Sequence, residues 1–499
     1  MLAAAALFTL AVERGRRSSM QPEAHRQRRM VTEWTAKPHI VLWLVDDQGW
    51  ANAGWNNQHV YTPRMDTMAK EGIILNRHYS YPWCAPSRAA LMTGRMPHDG
   101  FENMGQIIPQ DVDMLSHAMK EAGYSTHHVG KWHLGLLHAW EYPAARGFDS
   151  SLGFMGGSVD YVTQVPAGDD WACNGIDLQR NGGPADGVNG TFSGHWFAKE
   201  IDRVLLNRSS AAPVFLFVAL QAMHTPLPDT EVLAQYAKHY EELGYERSFT
   251  ESSALVTHAD DLLGHINGTL HDAGMWYNTL LVHLSDNGGQ VTNYGDADSP
   301  GYHMEVQGNN WPLRGMKKSF FEGGVRTPAF LAGGALPLYN RGSTLQGYIH
   351  LADWFATLRE IASSPHHSPE GGLSMAAYIA GREAESPRKS MILGAGATGD
   401  TVNPRPYNPT PTPTPTPHPH PHPHPHLALT PTLTLTLTLI LTLTPTLTRS
   451  TTPRPSSSEA GSCSTAPSPA AGTAGRRPSS PTTQERCPQA SAWAAASSR

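Results

Sequence analysis

Four short apolar runs each end in residues able to do chemistry. Pro38–Val45 leads into Asp46-Asp47, and Ser125–Val129 into Gly130-Lys131-Trp132-His133. Val214–Leu220 leads into Gln221-Ala222-Met223-His224, and Leu280–Ser285 into Asp286-Asn287-Gly288-Gly289. Asp46, Asp47, Asp286 and Asn287 offer hard oxygen ligands. Carboxylates crowd together cheaply only around a cation. An all-oxygen set suits Ca²⁺ or Mg²⁺ rather than zinc. Lys131, His133 and His224 are donors suited to an oxyanion. The expected site is a divalent cation with cationic side chains closing on a tetrahedral anion. Any one of these residues alone also reads as a helix cap or turn former; it is their shared place at strand ends that points to a site.

Those runs require elements to hold them. Together with Ala329–Ala332 they are apolar stretches without clean alternation, the pattern of strands buried on both faces of a parallel sheet. Helical spacing lies between them at 63–70, 114–122, 194–206, 250–273 and 350–363; the fourth of these carries Leu255, Leu262, Leu263 and Ile266. Alternating strands and helices predict a doubly wound α/β fold.

Composition bounds the rest. The chain has 499 residues, 39% hydrophobic and 16% charged, with a net charge of −6. Residues 31–399 hold 24 basic and 38 acidic residues, a net of −14. Such an acidic body does not suit nucleic acid, but it admits a small anion held by a few focused cations. No apolar run reaches the roughly 20 residues that span a bilayer. The four cysteines, Cys84, Cys173, Cys463 and Cys487, are too few for a disulfide framework. Three regions are expected: a leader over 1–30 with a short apolar stretch at Met1–Val12, a catalytic domain over 31–399, and a low-complexity tail over 400–499. In the tail, Pro alternates with Thr or His over 409–426, and Leu with Thr over 429–448. His418–His426 could bind a metal, but repeats this pure read first as low-complexity sequence outside the fold.

Residues 84–95 read C-A-P-S-R-A-A-L-M-T-G-R, and residues 123–133 read G-Y-S-T-H-H-V-G-K-W-H. C-x-P-S-R followed by L-x-T-G-R, with the second string at this distance, resembles the two signatures of the type I sulfatases. Three further stretches are similar to the arylsulfatase B, or N-acetylgalactosamine 4-sulfatase, group: Asn309–Lys317, Phe321–Arg326 and His350–Trp354. The resemblance covers about residues 37–395. It implies an alkaline-phosphatase-like fold, a mixed and mostly parallel sheet flanked by helices.

It also implies roles. Cys84 takes the place of the cysteine that a formylglycine-generating enzyme oxidises to Cα-formylglycine, with Ser87 and Arg88 in the sequence that enzyme reads. One Ca²⁺ falls to Asp46, Asp47, Asp286 and Asn287, with residue 84 beside it. Arg88, Lys131, His133, His224 and Lys317 take the remaining site positions. The implied reaction is hydrolysis of an aryl or sugar sulfate, or of a sulfated glycan, by a hydrated aldehyde whose second hydroxyl allows release of sulfate. His224 or Lys317 would protonate the leaving alcohol, and His133 would take the proton from the remaining hydroxyl. Formylglycine formation in eukaryotes implies the secretory pathway, lysosomal or extracellular.

The sequence departs from the family in places. The usual smaller C-terminal domain is expected to be missing, with Met391-Ile392-Leu393 as the first trace of its sheet. The subgroup's disulfides are absent, and Ala356 stands where proline is usual. Three sequons occur, at Asn189, Asn207 and Asn267, about the number chance supplies. Sugar recognition is expected from loops 135–145, 160–190 and 291–308. Two other readings stay open: a phosphate or phosphonate ester hydrolase of the same superfamily, and a truncated, non-catalytic product.

Overall fold

The strands that carry the polar residues lie side by side in one sheet. In a computed structural model, the described residues are 33–34, 37–96, 107–166, 175–207, 212–228, 231–291, 308–369 and 371–393. The leader over 1–30, the tail over 400–499, Cys173, Cys463, Cys487 and almost all of loop 291–308 lie outside them. So does any region after Leu393 where a smaller domain would follow.

The strands are β1 (His39–Val45), β2 (Ile73–Leu75), β3 (His78–Tyr79), β4 (Ser125–Lys131), β5 (Ser150–Phe154), β6 (Gln179–Arg180), β7 (Gly183–Pro184), β8 (Val214–Leu220), β9 (Thr279–Ser285), β10 (Phe330–Ala332), β11 (Ser343–Leu345) and β12 (Ile349–His350). The large sheet has the order β11-β2-β10-β9-β1-β8-β4-β5-β6-β7. Its centre, β9-β1-β8-β4-β5, is wholly parallel, while β10 and β6 join antiparallel. The expected mixed, mostly parallel sheet flanked by helices is what forms.

Burial explains why the strand sequences do not alternate. Ile40, Leu42 and Leu44 of β1 pack on one face with helices Cys84–Thr93, Leu115–Glu121 and Asp353–Ile361. Val41, Trp43 and Val45 pack on the other with helices Pro63–Glu71, Ser193–Leu206 and Arg247–Asp272. With helices on both faces, every strand position gains from being apolar. At about 25 cal/mol per Å² of apolar surface removed from water, this double burial is the main stabilising term.

Register then sets the site. Val45 of β1 lies opposite Leu220 of β8 and Ser285 of β9, so Asp46, Gln221 and Asp286 leave the sheet level with one another. Gly130 lets β4 approach: its φ is 107°, and a Cβ there would sit 1.9 Å from the Ala219 carbonyl oxygen. Sequence periodicity finds five strands and five helices but misses the shorter strands, β5 among them, and the helices Cys84–Thr93 and Ala234–Glu242. One expectation fails: residues 391–393 form no strand, and Met391 packs against the cluster of Ala90, Met96 and Ala352.

Candidate active site

The carboxyl edge of the parallel strands gathers Asp46, Asp47, Cys84, Arg88, Lys131, His133, His224, Asp286, Asn287 and Lys317, and all ten are buried. Asp46 and Asp47 follow β1, Lys131 ends β4 with His133 just beyond, His224 follows β8, and Asp286 and Asn287 follow β9. Cys84 is the first residue of helix Cys84–Thr93, and Arg88 lies one turn on. Ser87 Oγ accepts the Tyr81 amide at 3.0 Å and donates to the Tyr81 carbonyl at 2.9 Å, which fixes the chain's entry into that helix. Lys317 arrives on the segment 308–321, where Asn310 donates to the Gly289 carbonyl at 2.8 Å and accepts the Gly289 amide at 2.9 Å. Asp47, His133 and Met223 hold positive φ at 57°, 54° and 84°, a strain that non-glycine residues keep only where the surroundings impose it.

Three carboxylates face three cations. Lys131 Nζ lies 2.6 Å from Asp46 Oδ2, and Lys317 Nζ 2.7 Å from Asp47 Oδ1. Arg88 donates from Nε to Asp286 Oδ2 at 3.0 Å, with Nη2 2.8 Å from the same oxygen, and from Nη1 to the Lys131 carbonyl at 3.0 Å. The Asn287 amide donates to Asp47 Oδ1 at 2.7 Å. His133 Nδ1 is 3.3 Å from Cys84 Sγ. His224 Nδ1 donates to the Thr225 carbonyl at 2.7 Å, which leaves Nε2 facing Asp47 Oδ2 at 3.9 Å.

These neighbours move the proton affinities. Burial raises Asp47, but Lys317, His224 and Lys131 outweigh it and hold the carboxylate far below its usual range. Burial and the adjacent Asp46 push Asp286 up to about 6. Burial, with Lys317 and Lys131 nearby, lowers His224 to about 3, and burial with Lys131 and Arg88 lowers His133 well below its ordinary value. Both imidazoles are therefore neutral near pH 7. Burial would discharge Lys317, yet Asp47 beside it raises its proton affinity, so it stays charged. Burial pushes the Cys84 thiol up.

A divalent cation fits this set. Asp46 Oδ1 and Asn287 Oδ1 are buried without a hydrogen-bond partner, and a buried oxygen left unpaired is costly unless something binds it. One ligand atom each from Asp46, Cys84 and Asp286 lies within 4.8 Å of the others. The oxygens are hard donors of the kind Ca²⁺ prefers.

The sulfatase family model matches residues 38–364. The chain belongs to the sulfatase family. It is 33% identical over 339 residues to arylsulfatase J of Mus musculus, covering 66% of this chain and 53% of that one. It is also 33% identical over 319 residues to N-acetylgalactosamine-6-sulfatase of Mus musculus, covering 58% and 56%. The chain thus spans about half the length of the curated relatives it matches. Among solved structures, Ps i-CgsB in complex with k-i-k-neocarrahexaose superposes with a TM-score of 0.59 at 26% identity, covering 69% of this chain and 76% of that one.

Two further residues brace this cluster, and sequence reasoning passes over both. The Tyr161 hydroxyl lies 2.9 Å from the Gln221 carbonyl and 3.1 Å from the His224 carbonyl, bracing the turn that carries His224. Asn310 ties the Lys317 segment to the end of β9. Nothing in the local sequence marks Tyr161. Asn310 lies inside a stretch already singled out, without a role attached.

Proposed function

We propose that this protein hydrolyses sulfate esters of sugars or aryl alcohols, using a formylglycine made from Cys84 and a Ca²⁺ held by Asp46, Asp47, Asp286 and Asn287. The observation that carries this reading is the dry cluster of three carboxylates and three cations around residue 84, with two buried acceptor oxygens left over. The cation would lower the proton affinity of an oxygen on residue 84 and draw charge from the sulfuryl oxygens. The aldehyde, once hydrated, would offer two hydroxyls on one carbon.

The chain's own residues do the remaining work. Arg88 grips Asp286 and the Lys131 carbonyl, which fixes one wall of the site against residue 84. Neutral His133 stands at hydrogen-bond distance from the residue 84 side chain and can take its proton. Lys131 and Lys317 offer positive charge to an oxyanion in a low-dielectric pocket. Lys317 also carries a transferable proton, while His224, neutral with Nδ1–H turned to Thr225, presents only an acceptor. Protonation of the leaving alcohol is therefore assigned to Lys317.

The secretory pathway supplies the oxidation of Cys84 in this reading. Among the described residues no helix is long and apolar enough to cross a membrane. Intact-mass analysis of the peptide containing Cys84, from protein made in a eukaryotic secretory host, tests the first step. Aldehyde with turnover of aryl sulfate is the expected result. Unmodified thiol alone would overturn it, and faster turnover of aryl phosphate would move the assignment to phosphate esters.

A further inference from the structure

His133 stands beside residue 84 on a strained turn, with φ 54°. What holds its ring there comes from the chain that follows β5. The His133 amide donates to the Met155 carbonyl at 3.2 Å, and the Trp132 amide to the Phe154 carbonyl at 2.9 Å. Two residues on, a Cβ at Gly157 would stand 3.1 Å from both Cε1 and Nε2 of the imidazole, so bare backbone lies against the ring. The other ring nitrogen, Nδ1, faces Cys84 Sγ. Residues 155–157 are thus the back wall of the seat that His133 occupies.

The same loop reaches His224. Tyr161 braces the His224 turn through its hydroxyl. Gln221 returns the contact, donating from Nε2 to the Val159 carbonyl at 2.6 Å. Gln164, at φ 60°, donates from its side chain to the Tyr161 carbonyl at 2.7 Å.

One residue closes this loop at both ends. Asp177, just before β6, accepts the Met155 amide on Oδ1 at 3.0 Å and the Gly156 amide on Oδ2 at 2.8 Å. Its own amide donates to the Gln164 carbonyl at 2.8 Å. A carboxylate that takes nearby amides is a common turn device, and its charge strengthens both bonds. Here the turn it fixes is the one that touches the His133 ring. Asp177 lies within 160–190, a stretch expected to meet sugar, yet both its carboxylate oxygens turn to the chain's own amides.

We propose that Asp177 is a positioning residue for His133: by clipping both ends of loop 155–164 it seats the imidazole against residue 84. The consequence for turnover rests on the sulfate-ester reading above, in which His133 takes the proton that frees sulfate after the alcohol has gone. The seating itself does not depend on that reading.

Asp177→Asn keeps the shape of the side chain but only one acceptor oxygen, so one of the two amides is left unanswered. On nitrophenyl sulfate, kcat of the variant is expected to fall by up to about 10²-fold, the order that a small misplacement costs. KM should fall with it, leaving kcat/KM little changed, because the slowed step follows departure of the alcohol. A second readout needs no turnover: nitrogen-15 NMR of the histidine rings in protein with Cys84 unmodified, the His133 signals being assigned by their loss in His133→Gln. These signals should move in Asp177→Asn. Those of His78 and His283, which are held by Thr327 and Gln48, should not. Gly157→Ala leaves the Asp177 anchor intact, presses on the ring, and should move the same signals. Unmoved His133 signals in folded Asp177→Asn would overturn the proposal. So would equal shifts at all three histidines, or kcat/KM falling as far as kcat. If Asp177→Asn does not fold, Gly157→Ala decides: moved His133 signals uphold the proposal and unmoved ones refute it. If the native chain turns over no sulfate ester, the sulfate-ester reading fails by itself, and the NMR comparison still decides the role of Asp177.

Discussion

At the residue scale, two side chains carry separable tasks. If Lys317 protonates the leaving alcohol, its loss should matter most when that alcohol is a poor leaving group. Lys317→Ala is expected to cost about 10²–10⁴ in kcat on a sugar sulfate and markedly less on a nitrophenyl sulfate. His224→Ala should show no such dependence on the leaving group. Single-turnover rates on both substrates check this, and a reversed pattern would transfer the role to His224. Arg88 is a different case. Its guanidinium contacts Asp286 through two nitrogens and the Lys131 carbonyl through a third. A lysine cannot reproduce that fork. Arg88→Lys should therefore lose about 3 kcal/mol of stability, the order expected when a buried ion pair is broken, as read by urea denaturation.

At the element scale, helix Pro63–Glu71 depends on a residue far away in sequence. Asp260 of helix Arg247–Asp272 is fully buried and accepts the Met65 amide at 2.6 Å and the Arg64 amide at 3.3 Å. Burial raises its pKa from an ordinary 3.8 to about 6, against the pull of those amides and of Arg64. The folded state then binds more protons than the unfolded one between those values, so this residue's contribution to stability falls as pH rises through them. Asp260→Asn keeps an acceptor and removes the titration. Relative to the native chain, the variant should gain stability from pH 4 to pH 7; denaturation midpoints across that range check it, and a flat difference would contradict it. Such cross-element caps are invisible to periodicity. So is Gly130, read in the sequence only as part of a motif, although it sets how closely β4 approaches β8. The strands that carry Asp46, His224 and Asp286 were legible because a strand buried on both faces is an unbroken apolar run. Strand β5, short and with Ser150, Ser151 and Gly153 among its five residues, offered no such run. Helix Cys84–Thr93 is hidden because all ten of its residues are buried, which leaves no polar face to mark a helical period.

At the scale of the whole molecule, the site is a charge store set in an acidic body. Residue types at strand ends were enough to nominate the oxygen ligands and three donors. Arg88 and Lys317, which lie on a helix and a loop, became legible only through family motifs, because loop and helix positions carry no period that marks chemistry. Lys131 and Lys317 pair with Asp46 and Asp47, two of the carboxylates that would hold the cation. A cation on those carboxylates would offset their hold on both lysines and leave more positive charge for an incoming anion, which the acidic surroundings otherwise repel. Cation and anion should therefore bind with positive coupling, and coupling of this kind is reciprocal. Calcium titrated calorimetrically in the presence of saturating inorganic sulfate should bind about 5–150-fold more tightly than in its absence. Sulfate should gain by the same factor when calcium is present. Chelation should lower the unfolding temperature, since at a hundred times its dissociation constant the ion adds about 2.7 kcal/mol. Identical calcium affinities with and without sulfate would mean that the lysines stay on their carboxylates, and would break the link between the charge arrangement and anion capture.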